Sequence, residues 1–282
     1  MKFNKIKSYA KINISLGILG RFKSRLHKTE SLISFLNLHD NIFIKKIKNK
    51  FHKVNFVGKF SKGIKKKNTI SNLLEILDNN KKLNNQKYLI KVNKKIPQKS
   101  GMGGGSMNAA NVLKYLLNKQ SLKLDSKEIL QIVSKIGSDV ILGMPNKTSI
   151  LNGSGKLKSF NKKINLFTLL IKPNFGCSTK EIYKEVNSFS RPVFKKNQRV
   201  NLNYKFLLNL KNDLELIAFR KYPFLKKLKI SIEKLDGILF VRMTGSGSTM
   251  VGYFNSKKYA LKARKILKKK YKNYWCILSK TI

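Results

Sequence analysis

The chain has 282 residues, of which 41% are hydrophobic, enough to bury a sizeable core in one large domain or two medium ones. No apolar run of about 18 residues occurs and the N-terminus lacks the apolar segment of a signal peptide, so we expect neither a membrane span nor secretion. The two cysteines, Cys177 and Cys276, form no metal-ligand spacing and no disulfide framework, and we therefore expect a reducing cytoplasm.

The formal charge of +48 has two interpretations. Lys and Arg at this density are typical of proteins that bind the phosphate backbone of nucleic acids. Alternatively, the composition has drifted, because Lys, Asn and Ile dominate the sequence and all three have AT-rich codons. The lysines are scattered along the whole chain without interleaved aromatic residues, so we favour drift and expect no nucleic-acid partner. The charge would still attract a polyanionic small substrate.

The first half of the sequence alternates between strand-like and helix-like patterns. Apolar residues fall at every second position in the former and on one helical face in the latter. The predicted strands are 10–16, one or more within 31–44, 53–57 and 88–92. The predicted helices are 68–77, a segment from a glycine-rich loop to Leu117, and 125–136. Asn68 or Thr69 would cap the first of these helices, and Asp125 or Ser126 the last.

The second half shows a similar alternation. A buried strand at 166–171 is followed by strands at 238–241 and 249–254 on either side of a glycine turn, then by an amphipathic helix at 256–271 and a strand at 275–278. Strands and helices alternate in both halves, which predicts an α+β protein of two domains, 1–155 and 156–282.

The loop before the second helix reads IPQKSGMGGGSMNAANVL. Bare backbone N–H groups at the start of a helix can bind an anion, most often a phosphate. The loop is not a Walker A motif, because no glycine is followed by Lys-Ser or Lys-Thr in the required frame. It also departs from the dinucleotide fingerprint, since Ser106 stands in place of the third glycine and Pro97 interrupts the connection from the strand. It fits a third pattern of Pro, Gly-x-Gly-Gly-Gly-Ser and Asn-Ala-Ala.

At this loop the sequence resembles the GHMP kinases, a superfamily of ATP-dependent small-molecule kinases. Further stretches are similar to one branch of it, which phosphorylates the 2-hydroxyl of 4-diphosphocytidyl-2-C-methyl-D-erythritol. The similar stretches are AKINISLGILG with His27, IGSDVILG at 136–143, NDLELIA at 212–218 and MTGSGSTMVGYF at 243–254. Their order and spacing agree with that branch across nearly the whole chain.

The resemblance implies a fold, a reaction and a cofactor. The N-terminal ATP-binding domain would resemble the second domain of ribosomal protein S5, and the C-terminal substrate-binding domain would be ferredoxin-like. The expected products are the 2-phosphate and ADP, in non-mevalonate isoprenoid biosynthesis. ATP would carry Mg²⁺ with it, the protein would be a monomer or weak homodimer, and its partner would be the small substrate. A kinase for homoserine or mevalonate is the alternative, but His27 and the spacing of the first motif argue against it.

The resemblance also implies two catalytic residues. Asp139 would act as general base on the substrate hydroxyl. Lys11 would orient the hydroxyl and could form an ion pair with Asp139. From the residues alone, we would favour a turn or capping role for Asp139 and an ordinary solvent-facing position for Lys11.

The remaining site residues are also assigned by the resemblance. The expected cofactor-binding residues are Asn68, Lys94, Pro97, Gly101, Gly103, Gly104, Gly105, Ser106 and Asn108. The expected substrate-binding residues are Asn13, His27, Thr179, Tyr183, Gly245 and Gly247. His27 would bind the cytosine edge and Tyr183 would stack on the base, although Tyr183 could also be a packing aromatic. No metal ligands are expected from the protein.

Five positions depart from the family pattern. Arg25 stands in place of the glycine in the usual Gly-Tyr-His triplet. Leu26 replaces the tyrosine that usually precedes the histidine, so one aromatic surface for cytosine is missing. Lys99 and Ser100 replace glycines, and Met107 stands where a second serine is usual. Lys99 could place an additional cation near the phosphates.

Overall fold

The computed structural model describes residues 2–24, 26–119, 122–161, 163–194 and 202–282. The strands are β1 (Asn4–Asn13), β2 (Gly17–Arg21), β3 (His27–Ile47), β4 (Lys53–Val57), β5 (Lys87–Asn93), β6 (Ser149–Leu151), β7 (Leu157–Ser159), β8 (Phe167–Lys172), β9 (Ile238–Met243), β10 (Met250–Phe254) and β11 (Trp275–Lys280). The α-helices are α1 (Thr69–Asn79), α2 (Gly104–Asn118), α3 (Ser126–Ile136), α4 (Thr179–Lys184), α5 (Tyr204–Asn209), α6 (Leu214–Lys221), α7 (Pro223–Glu233) and α8 (Lys257–Lys270).

The chain divides into two compact units, each assembled from separate segments. The first unit comprises Met1–Lys11, Leu38–Gln98 and Gly103–Asn146. The second unit comprises Ile12–Asn37, Lys99–Met102 and Lys147–Ile282. The boundary near residue 155 between the two sequence domains stays a prediction.

The first unit is built on strands that pair around β5. Residues 41–47 of β3 pair with β5 in antiparallel register, and β4 pairs with it in parallel. The apolar faces of α1, α2 and α3 belong to one core with residues of these strands. Ala109 and Ala110 are fully buried in that core, as expected where a helix packs closely.

The second unit contains a four-stranded antiparallel sheet in the order β11-β8-β10-β9. Helices α6, α7 and α8 pack on this sheet and contribute Leu214, Leu228 and Leu267 to its core. The sheet contributes Ile171 of β8 and Met250 of β10 to the same core. In the same unit, β3 begins by pairing with β2 and β6. Two sheets with packed helices confirm the α+β prediction.

The predicted elements are found, with several differences. The first strand, β1, covers Asn4–Asn13 where 10–16 was predicted, and the short strands β2, β6 and β7 were not predicted. The apolar stretch 31–44 is part of one strand of 21 residues, β3. The region from Thr179 to Glu233 holds α4 to α7, to which the sequence analysis assigned no helices. Helices α4 and α5 have six residues each, too short to show a clear helical period.

One histidine in the first unit makes stability depend on pH. His52 Nδ1 accepts the backbone N–H of Tyr88 (3.0 Å), so its proton is on Nε2, which lies 3.0 Å from Asp78 Oδ2. Burial lowers the pKa of His52 below its ordinary 6.5, against the attraction of Asp78. The unfolded chain therefore binds this proton more tightly, and the stability contributed by neutral His52 is lost as pH falls below 6.5.

We expect His52→Gln to weaken this pH dependence. Urea unfolding at about pH 7.5 and about pH 5.5 measures the free energy of unfolding on both sides of the ordinary histidine pKa. The wild type should lose more stability between the two pH values than the variant. Equal losses in both proteins would show that His52 does not contribute to acid sensitivity.

Candidate functional site

The glycine-rich loop leads into α2 in the first unit. Gly103 is the N-cap of α2 and adopts φ +63°, which only glycine tolerates well. A Cβ atom there would lie 2.9 Å from Cε of Lys11, and one on Gly104 would lie 3.3 Å from Nζ of Lys94. Within the described residues, no side chain caps the N-terminus of α2. The backbone N–H groups at this end are thus arranged for close approach of an anion.

Lys11 and Asp139 form an ion pair in the first unit. Lys11 Nζ lies 3.1 Å from Asp139 Oδ2, with the lysine side chain 4% exposed and the carboxylate 39% exposed. Lys11 is thus a buried residue of β1 and not a solvent-facing lysine. Gly137 ends α3, and the turn that follows presents Asp139. The pair places a partly exposed proton acceptor on a lysine whose alkyl chain packs on Gly103.

A buried carboxylate that the sequence analysis missed organises the loop. Asp40 is fully buried in β3, and its Oδ2 contacts Lys94 Nζ and accepts a hydrogen bond from Asn108 Nδ2 (3.0 Å). Its Oδ1 accepts the backbone N–H groups of Lys95 (2.7 Å) and Ile96 (2.9 Å). Asp40 therefore connects the end of β5 to α2. The sequence does contain a signal for this role, because Asp40 is an acidic residue inside the apolar stretch SLISFLNLHDNIFI.

The side chain of Asn108 has one polar atom without a hydrogen-bond partner among the described residues. Its Nδ2 donates to Asp40, so its Oδ1 points elsewhere; this oxygen is buried and has no hydrogen-bond partner among the described residues. The cations Lys94 and Lys11 and the N-terminus of α2 fit the phosphates of a nucleotide chemically. Asn108 Oδ1 is an acceptor and suits a donor group of the nucleotide, not a phosphate oxygen. The described residues include no group of three or more His, Cys, Asp or Glu placed to hold a metal ion.

Other predicted cofactor residues have clear structural roles. Asn68 caps α1, where its Oδ1 accepts the N–H groups of Ile70 (3.0 Å) and Ser71 (3.2 Å). Pro97 is buried in the connection from β5 to α2, and Ser106 lies in the first turn of α2. Met107 is fully buried and packs against Gly143, where an added Cβ atom would lie 3.1 Å from the Met107 Sδ. This departure from the family pattern therefore occurs at a core position.

Gly101 belongs to the second unit, apart from the other predicted cofactor residues. It adopts φ +72°, and a Cβ atom there would lie 2.0 Å from the carbonyl oxygen of Thr244. Thr244 Oγ1 donates to the Gly101 carbonyl (3.1 Å), and a Cβ on Gly245 would lie 3.1 Å from that same oxygen. The two glycine-rich segments thus pack backbone to backbone.

His27 and Tyr183 meet in the second unit. Their ring centroids are 5.2 Å apart with planes at 52°. His27 Nε2 is buried and lacks a hydrogen-bond partner among the described residues. Burial and the nearby charge of Arg21 lower the pKa of His27, so the imidazole is neutral at neutral pH. A neutral ring with an unsatisfied nitrogen beside an aromatic ring is suited to a heterocyclic base.

The remaining predicted substrate residues lie around the turn that contains Gly245 and Gly247. Thr179 Oγ1 lies 2.9 Å from Ser246 Oγ, at the centre of this turn. The backbone N–H of Asn13 donates to Thr244 Oγ1 (3.0 Å). The structure therefore brings Asn13, Thr179, Gly245 and Gly247 together in the second unit.

Two departures from the family pattern, Leu26 and Lys99, are both exposed. The side chain of Leu26 is 69% exposed. Lys99 adopts φ +48°, and a Cβ on Gly176 would lie 2.4 Å from the Cβ of Lys99. Glycine at 176 therefore accommodates the lysine that replaces glycine at 99.

Among the described helices, none combines the length and apolar character needed to cross a bilayer.

Comparison with known proteins identifies the family. Models of the GHMP kinases N terminal domain and GHMP kinases C terminal match residues 68–150 and 194–273. The 4-diphosphocytidyl-2-C-methyl-D-erythritol kinase of Pelagibacter ubique is 54% identical over 99% of this chain and 99% of its own length. The kinase of the same name from Thermoanaerobacter pseudethanolicus is 32% identical over 100% of this chain and 97% of its own.

Solved structures agree on the fold. A crystal structure of 4-(cytidine 5'-diphospho)-2C-methyl-D-erythritol kinase has a TM-score of 0.77 at 22% identity, covering 98% of this chain and 99% of that one. The mevalonate kinase of L. major has a TM-score of 0.71 at 14% identity, covering 99% and 95%. The chain belongs to the GHMP kinases, within the family of 4-diphosphocytidyl-2-C-methyl-D-erythritol kinases.

Proposed function

We propose that the protein transfers the γ-phosphoryl group of ATP to the 2-hydroxyl of 4-diphosphocytidyl-2-C-methyl-D-erythritol, giving the 2-phosphate and ADP in non-mevalonate isoprenoid biosynthesis. The observation that carries the proposal is the ion pair of Lys11 and Asp139, with Lys11 packed on Gly103 at the start of α2. In this arrangement Asp139 would be a proton acceptor next to the phosphates that the loop would bind. The 54% identity to a kinase of that name supports the choice of substrate.

Phosphoryl transfer requires positioning, charge neutralisation and a proton acceptor. The backbone N–H groups of Gly103, Gly104, Gly105 and Ser106 would hold the phosphates of ATP. Mg²⁺ carried by ATP would neutralise phosphate charge when bound. Asp139 would accept the proton of the attacking hydroxyl, and Lys11 would orient that hydroxyl and stabilise the carboxylate through their contact.

Further contacts would complete nucleotide binding. Lys94, held by Asp40, would supply a fixed cation, and Asn108 Oδ1 would accept a hydrogen bond from a donor group of the nucleotide. Asn68, Pro97 and Gly101 would shape the backbone around the nucleotide.

Substrate recognition would use residues of the second unit. His27 would hydrogen bond to the cytosine edge and Tyr183 would stack on the base, a contact worth about 1–3 kcal/mol per base where measured by truncation. Asn13 and Thr179 would bind hydroxyl or phosphate oxygens, and Gly245 and Gly247 would let the backbone approach the diphosphate. We further propose a cytoplasmic monomer or weak homodimer without a nucleic-acid partner.

The test is ADP release from ATP and Mg²⁺ with three acceptors in parallel: the cytidine substrate, homoserine and mevalonate. We expect ADP only with the cytidine substrate, and phosphorus NMR should place the new phosphate on the 2-oxygen. Turnover of homoserine or mevalonate instead would reassign the substrate within the superfamily. Folded protein that is inactive with all three would contradict the proposal.

We expect His27→Ala to raise KM for the cytidine substrate by about tenfold, because a base-edge hydrogen bond is lost, with KM for ATP within about twofold of wild type. Steady-state kinetics with each substrate varied in turn measures both values. His52→Ala is the matched control, since it removes a histidine of the first unit that has no proposed substrate contact. An unchanged KM for the cytidine substrate in His27→Ala would contradict the assignment.

A further inference from the structure

The segment Asn212–Glu215 belongs to a sequence motif to which the proposed chemistry gives no role. It leads into α6 in the second unit, and its side chains bond to backbone atoms of other segments. Asp213 Oδ2 accepts the N–H of Ile18 (2.7 Å), and Glu215 Oε1 accepts the N–H of Met243 (2.7 Å). The segment thus fastens the start of α6 to β2 and to the end of β9.

Asn212 makes the largest set of these contacts. Its side chain is buried, and its Nδ2 donates to the carbonyl oxygens of Met243 (2.7 Å) and Gly245 (2.8 Å). Its Oδ1 accepts the N–H of Leu214 (3.0 Å). Carbonyl oxygens can only accept, so the partners determine which way the amide is oriented. A single buried side chain therefore holds two peptide groups on either side of Thr244.

These peptide groups belong to the glycine turn proposed to bind substrate. Gly245 and Gly247 adopt φ +56° and +92°, and glycine by itself leaves such a turn many conformations. A peptide group is planar, with its N–H opposite its carbonyl. Because Asn212 holds the carbonyl of Gly245, the N–H of Ser246 in the same peptide group points away from Asn212. Asn212 thereby selects the direction in which the turn presents a donor.

The hydroxyl contact between Thr179 and Ser246 provides a second indication of where the turn acts. Thr179 Oγ1 lies 2.9 Å from Ser246 Oγ, so a residue proposed to contact substrate meets the residue whose N–H is oriented. The same turn packs on Gly101. A change in the orientation of the turn would therefore disturb several proposed substrate contacts together.

We propose that Asn212 is a positioning residue for the substrate: it orients the turn 244–248 so that the backbone N–H of Ser246 can donate to a substrate phosphate. The N–H groups of Thr244 and Gly247 already donate to Thr249 and Thr244, so they stabilise the turn itself. The inference rests on the proposed function, in which this turn approaches the diphosphate. Asn212 acts through the backbone of the turn and does not itself touch the substrate. Loss of its amide donors should therefore weaken binding of the cytidine substrate through its diphosphate. The ion pair of Lys11 and Asp139 should not change.

The test compares Asn212→Leu with Asn203→Leu. Asn203 caps α5 by accepting the N–H of Phe206 (2.9 Å), so its replacement removes an asparagine hydrogen bond that has no connection to the turn. We expect Asn212→Leu to raise KM for the cytidine substrate by about tenfold or more, with KM for ATP changed by less than about threefold. Asn203→Leu should show wild-type KM values. Asn212→Ser retains one donor and should give a KM between those of the wild type and Asn212→Leu. If Asn212→Leu does not fold, Asn212→Ser takes its place in the comparison.

Amide hydrogen exchange supplies a readout that is independent of turnover. Residues 244–248 should exchange about tenfold faster or more in Asn212→Leu than in Asn203→Leu. KM and exchange rates equal to those of the control in a folded Asn212 variant would overturn the inference. If the wild type turns over none of the tested acceptors, the proposed function fails, and the positioning role fails with it.

Discussion

Asp139→Asn should lower the turnover number by roughly 10²–10⁴-fold, the range over which positioned general bases contribute. The amide has nearly the same shape as the carboxylate but cannot accept the proton of the attacking hydroxyl. It also removes the ion pair with Lys11, which spans 3.1 Å. Affinity for ATP should stay within about twofold of wild type, because the phosphate loop retains its backbone geometry. ADP release measures turnover, and calorimetric titration measures nucleotide binding.

The control for this prediction is Asp125→Asn. Asp125 caps α3 by accepting the N–H of Glu128 (2.7 Å), and asparagine caps helices about as well as aspartate. This variant should keep wild-type turnover. A fully active Asp139→Asn protein would exclude Asp139 as the base. Loss of nucleotide binding together with turnover would instead indicate a role in holding the phosphate loop.

Asp40→Leu should lower the free energy of unfolding by about 3–5 kcal/mol, as when one partner of a buried ion pair is removed. The side chain of Lys94 is 4% exposed and would be left charged and buried. The N–H groups of Lys95 and Ile96 would lose their acceptor, and Asn108 would lose the partner of its Nδ2. Urea unfolding followed by circular dichroism measures the change.

Two comparisons make this prediction specific. Asp236→Asn breaks an exposed pair with Lys262, in which both side chains are more than 60% exposed, and should change stability little. Adding Lys94→Met to Asp40→Leu should recover part of the loss, because no charge is then left buried. An Asp40→Leu protein as stable as Asp236→Asn would show that the carboxylate does not hold the loop.

Local patterns were sufficient for most of the strands and for four of the eight α-helices in the described part of the chain. Apolar residues on one helical face predicted α1, and Asn68 caps it as its position suggested. Four helices between Thr179 and Glu233 were not predicted. Of these, α4 and α5 have only six residues each, too short to show a helical period. The 11 residues of α7 do bury Leu225, Leu228 and Ile232 on one face, so its pattern was present and was overlooked. Stretch 31–44 was assigned to strands, but its extent as part of one strand of 21 residues depends on pairing with β2, β5 and β6.

The sequence by itself determined the family, the glycine-rich loop before α2 and the α+β class, because these depend on residue types at fixed spacings and on periodic burial. Only the tertiary structure decided that Lys11 is buried against Asp139, that Asp40 holds Lys94, and that Asn212 holds the turn at Gly245. Asp40 and Lys94 are far apart in the chain, as are Asn212 and Gly245. Spacing along a sequence carries no record of such pairs, because folding brings distant segments together and buries the polar groups that must then find partners.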